Sequence, residues 1–235
     1  MEVLGISLSI ITAIAALLVV ALWFVIVWQW RPFRAPAAFR FTDAHVLITG
    51  GSSGIGKAVA HQCLARGAKV SIIARTQARL DEAQRELELA LEARLGASAA
   101  AGRVRAFAAD VTDSEQLALA VREAVAASGD VDAVVCSAGA TSPMYFDDLP
   151  IEQFEYQMRV NYVGIVRTVK LLLPSMKQRR SGRFVFVASM LGHVGMFGYT
   201  AYAPTKFAVR GFAESLYPEV RRLGVPHAHT HARRR

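Results

Sequence analysis

The chain opens on an uninterrupted apolar run. From Val3 to Trp30 there is no Asp, Glu, Lys or Arg, and Leu, Ile, Val, Ala, Phe and Trp dominate. A spanning helix needs roughly 20 such residues, so the pattern predicts a transmembrane anchor over 1–31. A cleavable signal peptide fits less well. It wants a positive n-region, a shorter apolar core and a small-residue cleavage site, whereas this n-region carries Glu2 and no cation. Trp23, Trp28 and Trp30 sit where an aromatic belt would lie, and Arg31, Arg34 and Arg40 follow. The positive-inside rule then puts everything after Arg31 in the cytosol. Pro32 and Pro36 stop the helix, and 32–42 reads as a linker.

After Asp43 the period changes. Short Val/Ile-rich runs alternate with helical stretches, predicting strands at His45–Thr49, Lys69–Ala74, Arg103–Ala109, Ala133–Ser137 and Arg183–Ala188. Between and after them come helices at Ile55–Arg66, Gln77–Leu95, Ser114–Ser128, Ile151–Lys177 and Ala201–Leu223. Gly96–Gly102 reads as a loop of small residues. Strand–helix alternation of this length means βαβ units. The expected fold is therefore α/β: a Rossmann-like, doubly wound parallel sheet over 43–224, behind one transmembrane helix.

Composition adjusts this picture in two places. The mean hydropathy of +0.30 is carried mainly by the N-terminal run. The net charge of +8 raises the question of nucleic acid, but Lys and Arg are scattered among acids, so no nucleic-acid partner is expected. The basic residues nearest the anchor suit anionic lipid instead. Cys63 and Cys136 have no metal-ligand spacing and read as small buried residues; no metal site is expected.

The first strand runs into Thr49-Gly50-Gly51-Ser52-Ser53-Gly54-Ile55-Gly56, with a helix directly behind it. Such a turn presents free N–H groups and the positive end of the helix dipole to a pyrophosphate. Gly50 permits the turn, Gly54 lets backbone approach the phosphates, and Gly56 lets helix lie on sheet. Ser52 and Ser53 offer further donors. Where an acid would bind adenosine ribose hydroxyls, at the end of the second strand, stands Arg75, with Arg79 one helical turn on. Cations there suit a 2′-phosphate, so the cofactor expected is NADPH. Asp110-Val111 closes the third strand, where the acid can accept from an adenine amino group. Ala138 and Gly139 follow the fourth strand and leave room for a cofactor lying across the strand ends.

Tyr202 and Lys206 are four apart and share a helix face. Ketone reduction needs a proton donor. A phenol serves if a neighbouring ammonium draws its pKa down from about 10. Ser189 can polarise the carbonyl, and Asn161 can hold a water that links Lys206 to solvent.

In this order, the glycine turn, the Cys136-Ser137-Ala138-Gly139 strand end, Asn161, Ser189 and Tyr202-x-x-x-Lys206 resemble the short-chain dehydrogenase/reductase family over about His45 to Gly224. Cys136-Ser137 departs from the Asn-Asn of many members. The resemblance implies that Asn161, Ser189, Tyr202 and Lys206 form the catalytic tetrad. Ile48–Gly56, Phe197–Tyr202 and Lys206–Gly211, with the anchor and Arg31-Pro32, look most like the branch that reduces 3-ketodihydrosphingosine. That branch implies NADPH, a lipid-like ketone substrate, the cytosolic face of the endoplasmic reticulum membrane, and sphingolipid synthesis. The family's habit of pairing through its long helices allows a homodimer. Anchored relatives acting on steroids, retinoids or ketoacyl-CoA remain the alternative, as does a non-catalytic member. The resemblance further implies a strand, a loop over the nicotinamide, a lid and a final strand beyond the Tyr202 helix. The basic, His-bearing tail at 225–235 shows no strand alternation, so the sheet is expected to lack its C-terminal strands.

Overall fold

The computed structural model describes residues 8–29 and 39–221. The tail at 225–235 and most of the linker lie outside them. The chain divides into two compact units, Met1–Phe39 and Arg40–Arg235.

In the first unit, α1 runs from Leu8 to Gln29, 22 residues without a charge. Its side chains are described for residues 12–23, and every one is exposed, among them Leu17, Leu18, Val19 and Trp23. Among the residues so described, no helix is long and apolar enough to cross a membrane. The backbone helix continues past that stretch in both directions.

The second unit is an alternating α/β layer structure. Its elements are β1 (His45–Thr49), α2 (Gly54–Leu64), β2 (Lys69–Ala74), α3 (Gln77–Leu95), the single turn α4 (Ala97–Ala100), β3 (Val104–Ala108), α5 (Ser114–Ser128), β4 (Ala133–Cys136), α6 (Ile151–Met158), α7 (Gly164–Arg179), β5 (Arg183–Phe186) and α8 (Tyr202–Arg221). All pairings are parallel, in the order β3-β2-β1-β4-β5. The chain goes outward from β1 through β2 to β3, then returns to β4 on the other side. The strand order reverses between β1 and β4, and in such sheets ligands bind beyond the carboxyl ends at that point.

Strand side chains point alternately to the two faces. Leu47, Ile73, Val134 and Phe184 face a core closed by α5, α7 and α8, through Leu117, Val121, Val169, Leu172, Val209 and Leu216. Val46, Ile48, Val70 and Ile72 are equally buried and lie toward α2 and α3, whose Leu64, Leu80, Ala83 and Leu87 cover them. Strands buried on both faces explain the near-continuous Val/Ile runs.

Two expectations are corrected. The stretch expected as the loop Gly96–Gly102 contains the helical turn α4, a short Ala-rich segment with high helix propensity. The long helix expected over Ile151–Lys177 is interrupted: Arg159–Val163 forms one π-turn between α6 and α7.

His45 is buried inside the sheet. Its Nδ1 lies 2.7 Å from the Gly129 carbonyl oxygen, which only accepts, so Nδ1 carries the proton. Nε2 then accepts from the Ser71 hydroxyl at 2.8 Å. Burial pushes the imidazole below its ordinary 6.5, against the pull of the Gly129 carbonyl and Asp132.

Candidate active site

The carboxyl ends of the strands open into a cleft of about 1060 Å³. The glycine turn forms its floor. Gly50 has φ +71°, and a Cβ there would come within 2.7 Å of the Ala138 nitrogen. A side chain at this position would therefore push apart the ends of β1 and β4. A Cβ on Gly56 would meet the Gly50 carbonyl oxygen, closing the turn onto the helix. Gly54, at φ +52°, has nothing within 4 Å of a built Cβ. Its open side is therefore available to a ligand rather than to packing. The neighbouring Gly51, which the sequence did not single out, abuts Ile72. Ser53 occupies the N-cap of α2, yet its side chain caps nothing. The first-turn N–H groups are left to whatever enters the cleft.

The other ends of the cleft follow the same logic. Arg75 and Arg79 line it, and both are exposed. Arg75 also donates to the Tyr156 hydroxyl. Helix α3 has no acid in its first turn and no side-chain cap from Thr76. Two cations beside an uncapped helix start oppose the helix dipole, which an anion in the cleft would relieve. Asp110 and Val111 line the cleft at the end of β3. The cap of α5 is Asp113, which accepts from the Glu115 and Gln116 amides. Asp110 is not spent on the helix: one of its oxygens accepts from the Thr112 amide and hydroxyl.

Ala138 and Gly139 line the cleft after β4. At the Cys136-Ser137 departure, Cys136 is fully buried and its thiol is pushed up to about 12 by burial. It behaves as a small apolar residue, as does Cys63, pushed up to about 11.

Tyr202, Lys206 and Ser189 come together on the cleft wall. Tyr202 starts α8, and Lys206 sits one turn on with its ammonium 5.6 Å from the centroid of the Tyr202 ring. The ammonium donates to the Val187 carbonyl at 2.9 Å, and burial lowers its pKa to about 8. The expected lowering of the phenol is corrected. Burial raises Tyr202 above 10, and the hydrogen bond from Ser189 only partly opposes it.

Asn161 sits in the π-turn, fully buried. Its amide nitrogen donates to the Ala140 carbonyl at 2.9 Å and to Thr205 Oγ1 at 3.0 Å. Its Oδ1 accepts from the Ala140 amide at 2.7 Å. Both amide hydrogens are thus committed. The side chain thus acts as a clamp joining the loop after β4 to α8. Thr205, which also donates to the Tyr202 carbonyl, is a member of this network that sequence reasoning missed. Its position between Tyr202 and Lys206 was the available signal.

A family model described as short chain dehydrogenase matches residues 44–228. The chain belongs to the short-chain dehydrogenase family. Among curated members of the family, 3-dehydrosphinganine reductase of Danio rerio is 37% identical over 89% of this chain and 63% of its own length. 3-ketodihydrosphingosine reductase of Bos taurus is 38% identical over 83% and 57%. The chain therefore spans about three fifths of these relatives. Among solved structures of the family, a short-chain dehydrogenase from Streptomyces avermitilis superposes with a TM-score of 0.69 at 30% identity, over 80% of this chain and 65% of that one. NAD+-bound xylitol dehydrogenase, at 23% identity and a TM-score of 0.72, covers 80% and 68% and speaks for the fold alone.

Proposed function

We propose that this chain reduces 3-ketodihydrosphingosine to dihydrosphingosine with NADPH, as a membrane-anchored enzyme of sphingolipid synthesis. The observation that carries the reading is the meeting of Ser189, Tyr202 and Lys206 on one wall of a cleft whose floor is the glycine turn. Relatives named for this reaction support the substrate.

The residues present fit a phosphorylated dinucleotide. The uncapped start of α2 with Gly54 open above it suits a pyrophosphate. Arg75 and Arg79 suit the 2′-phosphate, Asp110 the adenine amino group, and Ala138 and Gly139 the space beyond. A bound nicotinamide cofactor would supply hydride to the carbonyl carbon. The chain's own residues supply the rest. Tyr202, raised by burial, keeps its proton at neutral pH and gives it to the ketone oxygen. Ser189, beside the phenol, would turn its hydroxyl hydrogen from Tyr202 to that oxygen and hold it in place. The Lys206 ammonium over the ring stabilises the phenolate that remains. Asn161 and Thr205 hold the start of α8 in register.

The anchoring rests on α1. A helix of 22 residues at about 1.5 Å each is roughly as long as the ~30 Å hydrocarbon core, and its described side chains are all exposed and, Thr12 apart, apolar. With Arg31, Arg34 and Arg40 behind it, the catalytic unit faces the cytosol, on the endoplasmic reticulum.

The test is purified full chain with NADPH and 3-ketodihydrosphingosine, following both NADPH oxidation and dihydrosphingosine. Turnover of steroid, retinoid or ketoacyl-CoA ketones in its place would reassign the substrate, and no turnover of any ketone would favour a non-catalytic member. For orientation, an N-glycosylation acceptor engineered into 96–102 stays unmodified in microsomes if the unit is cytosolic.

A further inference from the structure

The mouth of the cleft carries an unusual surface. Between Asp132 and Asp147, and again between Arg183 and Lys206, the sequence contains no Asp, Glu, Lys or Arg. The structure brings these two segments together: the Met144 amide donates to the Gly198 carbonyl at 3.0 Å, and the rings of Tyr145 and Phe197 pack 5.2 Å apart. Their large side chains point outward. Phe197 is 81% exposed and Met190 72%, and Tyr145, Phe146, Val194 and Met196 are all more than half exposed. Met190 and Met196 also line the cleft itself, so the apolar surface runs from the loop tips into the site. Exposed apolar patches of this kind mark interaction surfaces.

We propose that this rim inserts into the lipid surface, so that a lipidic ketone passes from the bilayer into the cleft without crossing water. This rests on the reading of the chain as an anchored reductase of a lipid-like ketone. Three observations select lipid as the occupant. The rim is formed by the loop segments after β4 and β5, and three of its exposed side chains, Tyr145, Phe146 and Phe197, are aromatic, the residue type that settles at a bilayer interface. Within both segments there is no Asp, Glu, Lys or Arg, and the Arg210 guanidinium meets them at His193. The chain also carries its own apolar helix, Leu8–Gln29, which the proposed function reads as a membrane anchor.

The test uses the full chain reconstituted in phosphatidylcholine vesicles. Phe197→Cys and, separately, Tyr145→Cys are labelled with an environment-sensitive fluorophore. The buried native thiols, raised to about 11 and about 12, stay unlabelled. Leu89→Cys, at an exposed position on α3, is the control. Lipids bearing a nitroxide high on the acyl chain should quench the labels at 197 and 145 and leave the one at 89 bright. Equal quenching at all three sites, or none at 197, overturns the proposal. Probes at 197 that self-quench between two chains in detergent and in vesicles alike assign the face to a second copy, and also overturn it. As an independent reading, Tyr145→Asp combined with Phe197→Asp should raise KM for a vesicle-borne long-chain ketone about tenfold or more, with a short water-soluble ketone turned over as before. Equal effects on both ketones count against the rim. If the unaltered chain reduces neither ketone, the proposed reaction fails while the quenching result still decides the rim.

Discussion

Replacing Asn161 by Ala tests whether its side chain is a clamp. The variant loses three hydrogen bonds of 2.7, 2.9 and 3.0 Å at a fully buried position. The bond to Thr205 is worth about 1 kcal/mol net, and the Ala140 N–H and C=O left without partners cost about 1–2 kcal/mol apiece if no water replaces the amide. A loss of about 3–5 kcal/mol follows. For a domain of this size about 2–4 °C of Tm goes with each kcal/mol, so the midpoint should fall by roughly 10 °C. Thr205→Val removes one of the three bonds and the hydroxyl's own bond to Tyr202, and should cost about 1 kcal/mol. The two losses should be less than additive, since they share a bond. The assay is thermal unfolding of the full chain in detergent, all variants at one scan rate. An Asn161→Ala midpoint within about 2 °C of the parent would refute the clamp and return the residue to a purely chemical role.

Three further outcomes are expected. His45 is held neutral by burial, with its folded pKa below 6.5, so the unfolded chain takes up the proton first; stability should be complete above about pH 6.5 and decline as pH falls below it, and a Tm flat between pH 7 and 5 would contradict the buried neutral imidazole. Tyr202→Phe should keep cofactor binding and lose about 10²–10⁴ in turnover, read from NADPH oxidation against a titration of NADPH fluorescence; near-normal turnover would mean that another group gives the proton. Arg75→Asp should weaken NADPH about 10–100-fold with NADH much less affected, and equal losses for the two would sink the 2′-phosphate assignment.

The parts of this molecule that follow from local pattern were legible in the sequence. Helices Gln77–Leu95 and Ser114–Ser128 appear with the expected ends, because Thr76 and Asp113 precede clean helical periods and Gly96 and Gly129 stop them. The glycine turn was readable because each glycine answers a local demand, although the contact of Gly51 with Ile72 needed the packed sheet. What escaped was set by partners distant in the chain. Asn161 meets residues 21 and 44 positions away, so its commitment to Ala140 and Thr205 could not be seen from spacing. The sign of the Tyr202 shift depends on how deeply α8 is packed, and spacing to Lys206 carries no information about that. Strand ends were expected one or two residues long, as at Ala188 against Phe186, since apolar residues continue beyond the last ladder bond to wall the cleft.

The π-turn at Arg159–Val163 also constrains how this segment can change length. A π-turn holds one residue more than the α-helix it interrupts, so it sets the angular phase between α6 and α7. Deleting a single residue there would let the backbone relax into one continuous helix with better-aligned hydrogen bonds. The same deletion would turn everything on one side by about 100° relative to the other. Asn161 would swing away from Ala140, or Ile165, Val169 and Leu172 would leave the sheet. The more regular helix is thus the less functional one. Single-residue deletions across 159–163 should be tolerated by secondary structure, as circular dichroism reads it, and rejected by the site.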